Sequence, residues 1–395
     1  MNKKSLLAAM LALPAVGVGA DPLPSNALSI VVRETAGIRR GNFPALGQAQ
    51  LARGALHDVS NLRLLLSDKE VPVQATAVSR WPDGSIRQVE INFNASIGPL
   101  GELRYRLEIG GTVRAQPVVN ERLEVIESTD GLQVGKLRFA RQPAALLQSV
   151  AFGREIAGDG MNAISVTDAG GATYLLDGDV AIEIVKPGPL AVQIRYGGAL
   201  RLPGDYVVPF TITIDVPNTK SWVRYAARVE DPRREVREIA LDASFRFGGF
   251  PWTWDFGTGS WSYGAFRNTT DSAVLTQVVG PEGAGDWQIA TGPHGHEQLY
   301  ARAAGERPAR AEGWGHLQGV DRAVAFAIEG FGRAAGQYVM ALDGSGQIAF
   351  RFAPAQPADV HVLAVYQHYV ATPVPVGAAT NPVAMTSPLL VTVEP

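Results

Sequence analysis

The 395-residue sequence contains no cysteine. That excludes disulfides, thiolate metal sites and a cysteine nucleophile. It does not argue against export, because a large β core holds together without covalent staples. An excess of basic charge is also missing: 35 Lys and Arg stand against 38 Asp and Glu, a formal net charge of −3. No broad positive field exists to attract nucleic acid or anionic lipid, so neither is expected as a partner. Histidine is scarce, with six in the chain. No apolar run is long enough to span a bilayer, so no membrane segment is expected. A helical period is absent too; the best helical stretch, residues 144–150, lasts barely two turns.

What the chain has is alternation with a period of two. Leu103, Tyr105, Leu107 and Ile109 alternate with Arg104, Arg106 and Glu108. Val223, Tyr225, Ala227 and Val229 alternate with Arg224, Arg228 and Glu230. The runs around 192–196 and 212–216 read the same way, and 43 glycines and 26 prolines punctuate them. Such runs are half-buried strands separated by turns, and the fold class expected is all-β and antiparallel. Pro82-Asp83-Gly84-Ser85 is one such turn, flanked by Trp81 and Arg87. Lys3 and Lys4, the apolar run LLAAMLALPAV and the small residues Val18-Gly19-Ala20 read as a signal peptide, residues 1–20. Its removal takes away two lysines and moves the net charge from −3 to −5. A secreted or periplasmic protein is expected. A weakly patterned link near 110–116 suggests two units, 21–115 and 116–395.

Several stretches resemble one known family. VRETAGIRRGNFPALGQAQLARGALHDVSNLRLL, VPVQATAVSRWPDGSIRQVEINF and LRYRLEIG are similar to the first domain of exo-rhamnogalacturonan lyase and YetA-like proteins. GPLAVQIRYGG, FTITIDVPNTKSWVRYAARVEDPRREVREIALDASF and EGWGHLQGVDRAVAFAIEGFGR resemble that family's central domain. The resemblance implies a small N-terminal RIFT-type β-barrel followed by a large antiparallel β-sandwich. PLLVTVEP at the end looks like the exit strand of the sandwich. Family lyases continue into an α/α toroid, and no segment here supplies its helices. The implied function is therefore that of a lyase acting on acidic polysaccharide, with a separate toroid protein as a partner. The alternative is a carbohydrate-binding or assembly module without catalysis.

β-Elimination needs a base, a charge-stabilising cation or donor, and an acid for the leaving oxygen. Histidine, tyrosine and arginine suit these roles. Three of the six histidines lie in GPHGHEQLY and GWGHLQG, and His294, His296 and His316 are the candidate catalytic residues. No resident cofactor is expected. A divalent cation on His294 and His296, with Glu297 or His316, is the metal reading left open by the His-x-His spacing. The segment GFPWTWDFGTGSWSYGAF supplies aromatic planes for sugar C–H faces. Trp252, Trp254, Asp255, Trp261, Tyr263 and Trp314 are the candidate substrate-binding residues. On this reading Trp254→Ala weakens glycan binding and leaves the fold intact. The competing reading makes the segment a satellite core over the sandwich edge. His361 is expected to be structural, with His368 and Tyr369 as lesser candidates.

Overall fold

The computed structural model describes residues 27–115, 119–141, 146–150, 164–176, 178, 180–259, 262–283, 285–293, 298–302, 310–370 and 382–394. It is all-β, as the alternation requires. Among the described residues helix is confined to the single 3₁₀ turn Val59–Asn61 and the five-residue helix Pro382–Thr386. No described helix is long and apolar enough to cross a membrane.

The first unit packs two sheets around one core. Arg40–Gln50, Ile86–Ile97 and Val73–Arg80 make a three-stranded sheet. The other is five-stranded and centres on Ala27–Arg33 and Glu102–Ile109. Ile30, Val32, Val89, Ile91, Phe93 and Leu107 fill the space between. The turn at Pro82 to Ser85 forms as its residues dictate: Asp83 Oδ1 accepts from Ser85 N at 3.0 Å and Gly84 takes φ +83°. Trp81 packs here, with Nε1 donating to Leu51 O at 3.1 Å and Arg87 5.1 Å from its ring.

The outer strand of the five-stranded sheet overturns one expectation. Leu390–Glu394, from PLLVTVEP, pairs antiparallel with Ala27–Arg33 in the first unit, not with the sandwich. Strand pairing is non-local, and Val391 and Val393 complete the first unit's core rather than the second's. A fragment ending at residue 115 therefore lacks one strand of its own sheet.

The second unit is a sandwich of an eight-stranded and a nine-stranded antiparallel sheet, with the small four-stranded sheet formed by residues 125–150 joined to the same core. The nine-stranded sheet positions the site. Its order is Ala181–Pro187, Ala191–Leu202, Tyr206–Pro217, Trp222–Glu230, Val360–Val370, Ala323–Ile328, Trp314–Gln318, Trp252–Phe256 and Tyr263–Phe266. Residues of one parity face the sandwich interior, and those of the other parity face outward.

The two units are locked together. Gln74 Oε1 accepts from Leu190 N at 2.8 Å and Ala191 N at 2.9 Å. Lys186 Nζ and Glu90 Oε1 form a largely buried ion pair at 2.5 Å. The Arg40 guanidinium donates to the carbonyls of Ala384 and Ser387, both at 2.8 Å, and pairs with buried Glu34 at 3.2 Å. Burial alone would raise the Glu34 pKa. The backbone donors of Leu100, Ala36 and Ile38, together with Arg40, overcome that and hold it at about 2. This clamp fixes the C-terminal helix against the first unit.

Candidate functional site

Register on the nine-stranded sheet assembles an outward row from five strands. Asp255 pairs with His316, His316 with Ala325, Ala325 with His368, and His368 with Trp222. Tyr263 extends the row beyond Asp255 at the sheet edge. Two residues along lies a second row: Trp314, Ala327, Tyr366, Arg224, Asp215. Neighbouring strands are about 4.8 Å apart, so His316 and His368 stand roughly 10 Å apart across the small Ala325.

Each polar group here has a defined partner. His316 Nδ1 lies 2.7 Å from Asp255 Oδ1, and its ring centroid is 5.3 Å from that of Trp314. Trp314 Nε1 donates to Glu312 Oε2 at 2.6 Å. The Trp314 ring lies where a Cβ on Gly257 would fall, 2.2 Å from its nearest ring atom, so only glycine fits there. His368 Nε2 lies 2.6 Å from Ser221 Oγ. Burial, with the nearby His316 and Lys220, pushes the His368 pKa down to about 4 and keeps it neutral at ordinary pH. Arg224 bridges Glu329 at 2.7 Å and Asp215 at 3.1 Å. Burial works against its charge, but these carboxylates raise its pKa. Burial raises the Tyr366 pKa, and Glu329 adds to it.

The face is partly covered. The helix Pro382–Thr386 rests on it, and Met385 packs with Ala325, Ala327 and Tyr366, flanked by Trp222 and Trp314. Beside it, an apolar cleft of about 140 Å³ opens along the seam between the units, walled by Phe43, Leu190, Trp222, Tyr366 and Met385.

Four of the sequence candidates therefore meet: Asp255, His316, Trp314 and Tyr263. Trp252 and Trp254 do not join them, which corrects their assignment to substrate binding. Both are buried in the interior, Trp252 against Phe247 and Phe250, Trp254 against Phe266 and Tyr300. The segment is an edge hairpin rather than a loop, and strand parity sends its tryptophans inward while Asp255 points out. His294, His296, Glu297 and Trp261 lie outside the described residues. Among the described residues no three His, Asp or Glu side chains gather as metal ligands do. His361 is buried, 3.9 Å from Asp231, as a structural residue should be. Tyr369 faces the interior and meets Tyr225 at 3.0 Å. Sequence reasoning missed Trp222, Arg224 and Tyr366 as site residues. Their signal was the polar parity of SWVRYAARV and VLAVYQHYV, which looked like an ordinary solvated face.

No family model matches the chain, and no curated protein matches it. A solved structure shares its fold, and others overlap it in part. Of this chain, 94% superposes on 48% of a glycosyl hydrolase family 38 protein from Enterococcus faecalis, with a TM-score of 0.56 and 10% identity. The chain thus spans about half the length of that protein. A galactose mutarotase related enzyme from Lactobacillus acidophilus overlaps 63% of this chain and 98% of its own, with a TM-score of 0.34 and 9% identity. A GH36 alpha-galactosidase from Geobacillus stearothermophilus overlaps 64% of this chain and 41% of its own, with a TM-score of 0.33 and 11% identity.

Proposed function

We propose that this chain acts on carbohydrate and takes a saccharide on the outward face of the nine-stranded sheet. The class implied by the family resemblance is acidic polysaccharide, cleaved by β-elimination. One observation carries the reading: the row Asp255–His316–Ala325–His368–Trp222 beside the row Trp314–Ala327–Tyr366–Arg224. It sets aromatic planes, a proton-transfer group and a cation around a floor of alanines. Sugar C–H faces stack on the half-buried rings of Trp222 and Trp314. Asp255 Oδ1, 2.7 Å from Nδ1, orients the His316 imidazole as the proton-transfer group of the row. Arg224, held by Asp215 and Glu329, supplies a cation in the second row for charge developing on a uronate. A secreted or periplasmic location, from the leader at 1–20, belongs to the same proposal, as does a separate α/α-toroid partner.

A second reading, a binding or assembly module without catalysis, is favoured by Met385. Its side chain sits on Ala325 and Ala327, the floor between the two histidine strands. Incubation with a panel of uronate polysaccharides, following absorbance of the unsaturated product, separates the two. On the lyase reading product forms, and His316→Ala lowers turnover about 10²–10⁴-fold, as loss of a general base does. Glycan binding without product selects the binding module. Neither binding nor product overturns the carbohydrate reading.

A further inference from the structure

A second cavity, about 310 Å³, opens where the two units meet. Asn42, Asn94, Asn120, Asn218, Glu121 and Thr219 supply its polar lining. It shares Asn94 and Leu190 with the apolar seam cleft, and that cleft is walled by Trp222 and Tyr366 of the outward face. Cavity, cleft and face therefore lie along one path.

The cavity is preorganised by bonds across and beside the seam. Asn94 Nδ2 donates across it to Asn218 Oδ1 at 3.0 Å, and within the second unit Asn218 Nδ2 donates to the Glu121 carbonyl at 2.8 Å. Thr219 Oγ1 donates to the Asn42 carbonyl at 2.5 Å. Asn42 itself sits at φ +41°, in the left-handed region that asparagine tolerates better than most residues. The side chains of Asn120 and Glu121 make none of these hydrogen bonds, although the charge of Glu121 acts on Lys220. Among the described residues the structure gives neither a hydrogen bond, and both are exposed at the rim.

We infer that this seam cavity is a further saccharide subsite for a neutral, hydroxyl-rich sugar residue, one whose chain continues onto the outward face. The inference rests on the carbohydrate reading above. Amides both donate and accept, as vicinal hydroxyls do, whereas no Lys or Arg is among the described lining residues, and the neighbouring Lys220 ammonium is engaged by the Gly41 carbonyl and the charge of Glu121. Glu121 accepts from hydroxyls and repels a carboxylate. Among the described residues no aromatic ring lines the cavity, so hydrogen bonding rather than stacking sets its preference.

The test is calorimetry on the whole chain with cello-oligosaccharides and oligogalacturonides of two and five residues. The pentasaccharide carrying neutral residues binds more tightly than its disaccharide. The double variant Asn120→Ala, Glu121→Ala loses roughly fivefold to tenfold of that gain, about one hydrogen bond's worth. Its disaccharide affinity stays at the wild-type value and its thermal midpoint changes little, because neither side chain hydrogen-bonds across the seam and an exposed Glu121–Lys220 attraction contributes little. Equal weakening at both lengths, or none, overturns the subsite and leaves the outward face standing. A larger gain for the oligogalacturonide than for the neutral chain overturns the assignment to a neutral residue. Wild-type protein that binds no member of either series overturns both readings.

Discussion

The two faces of the nine-stranded sheet come from the same strands, shifted by one residue, yet they do opposite work. The inward row runs Trp254, Leu317, Val324, Tyr369. The outward row, one residue along each strand, runs Asp255, His316, Ala325, His368. Inside, the large side chains are buried against the eight-stranded sheet and belong to a single core. Outside, the chain spends alanine at the centre and puts aromatic and titratable groups around it. Burial is not what separates the faces, since His316 and Tyr366 are as buried as many core residues. The difference lies in polar partners. Outward groups pair with Asp255, Ser221, Glu329 and Glu312, whereas the inward row is packed by apolar contact, with the Tyr225–Tyr369–Gln367 hydroxyl chain as its polar exception. An outward face built this way keeps its polar atoms in fixed positions, which an ordinary solvated face does not.

Substitutions one residue apart test that contrast. Trp254→Ala opens a cavity in the core and costs about 3–5 kcal/mol in chemical denaturation, reversing the expectation that the fold survives it untouched. A loss below about 1 kcal/mol would mean the ring does not sit inside. A smaller effect is read in pH. His368 has a folded pKa of about 4, below its ordinary 6.5. The unfolded chain therefore binds the proton first, and the stability this group contributes is full above 6.5 and falls as pH drops from 6.5 through 4. Stability measured across that window has a slope of up to about 1.4 kcal/mol per pH unit from this group, and His368→Gln removes it. An unchanged slope in the variant shows that the histidine titrates normally. The smallest effect is at the edge. Tyr263 is 57% exposed, and Tyr263→Ala changes stability by less than about 0.5 kcal/mol. A large loss there would extend the core around the sheet edge.

Much of this architecture was legible in the residues alone. Alternation marked the strands, as in Val223, Tyr225 and Ala227 against Trp222 and Arg224, because a strand repeats its side-chain direction every two residues. The same rule puts Trp252 and Trp254, two residues apart, on one face of an extended segment. It did not show which face, since parity is relative and only the packed second sheet defines an inside. The candidate site was half legible for a similar reason. His316 and Trp314 stood out as rare residue types, whereas Arg224 and Tyr366 are common types in ordinary strands and gain meaning from their neighbours.

By itself, then, the sequence determined strand content, the punctuation by turns and the absence of thiol chemistry and of a basic surface. The tertiary structure alone decided the partnerships. Asp255 meets His316 from 61 residues away, and Ser221 meets His368 from 147. Leu390–Glu394 read correctly as a strand and incorrectly as the sandwich's own, because its hydrogen-bond partners are at Ser29 to Arg33. Local propensity acts over a few residues, but a β ladder joins strands from anywhere in the chain, and which of them meet is settled only when the apolar faces bury one another.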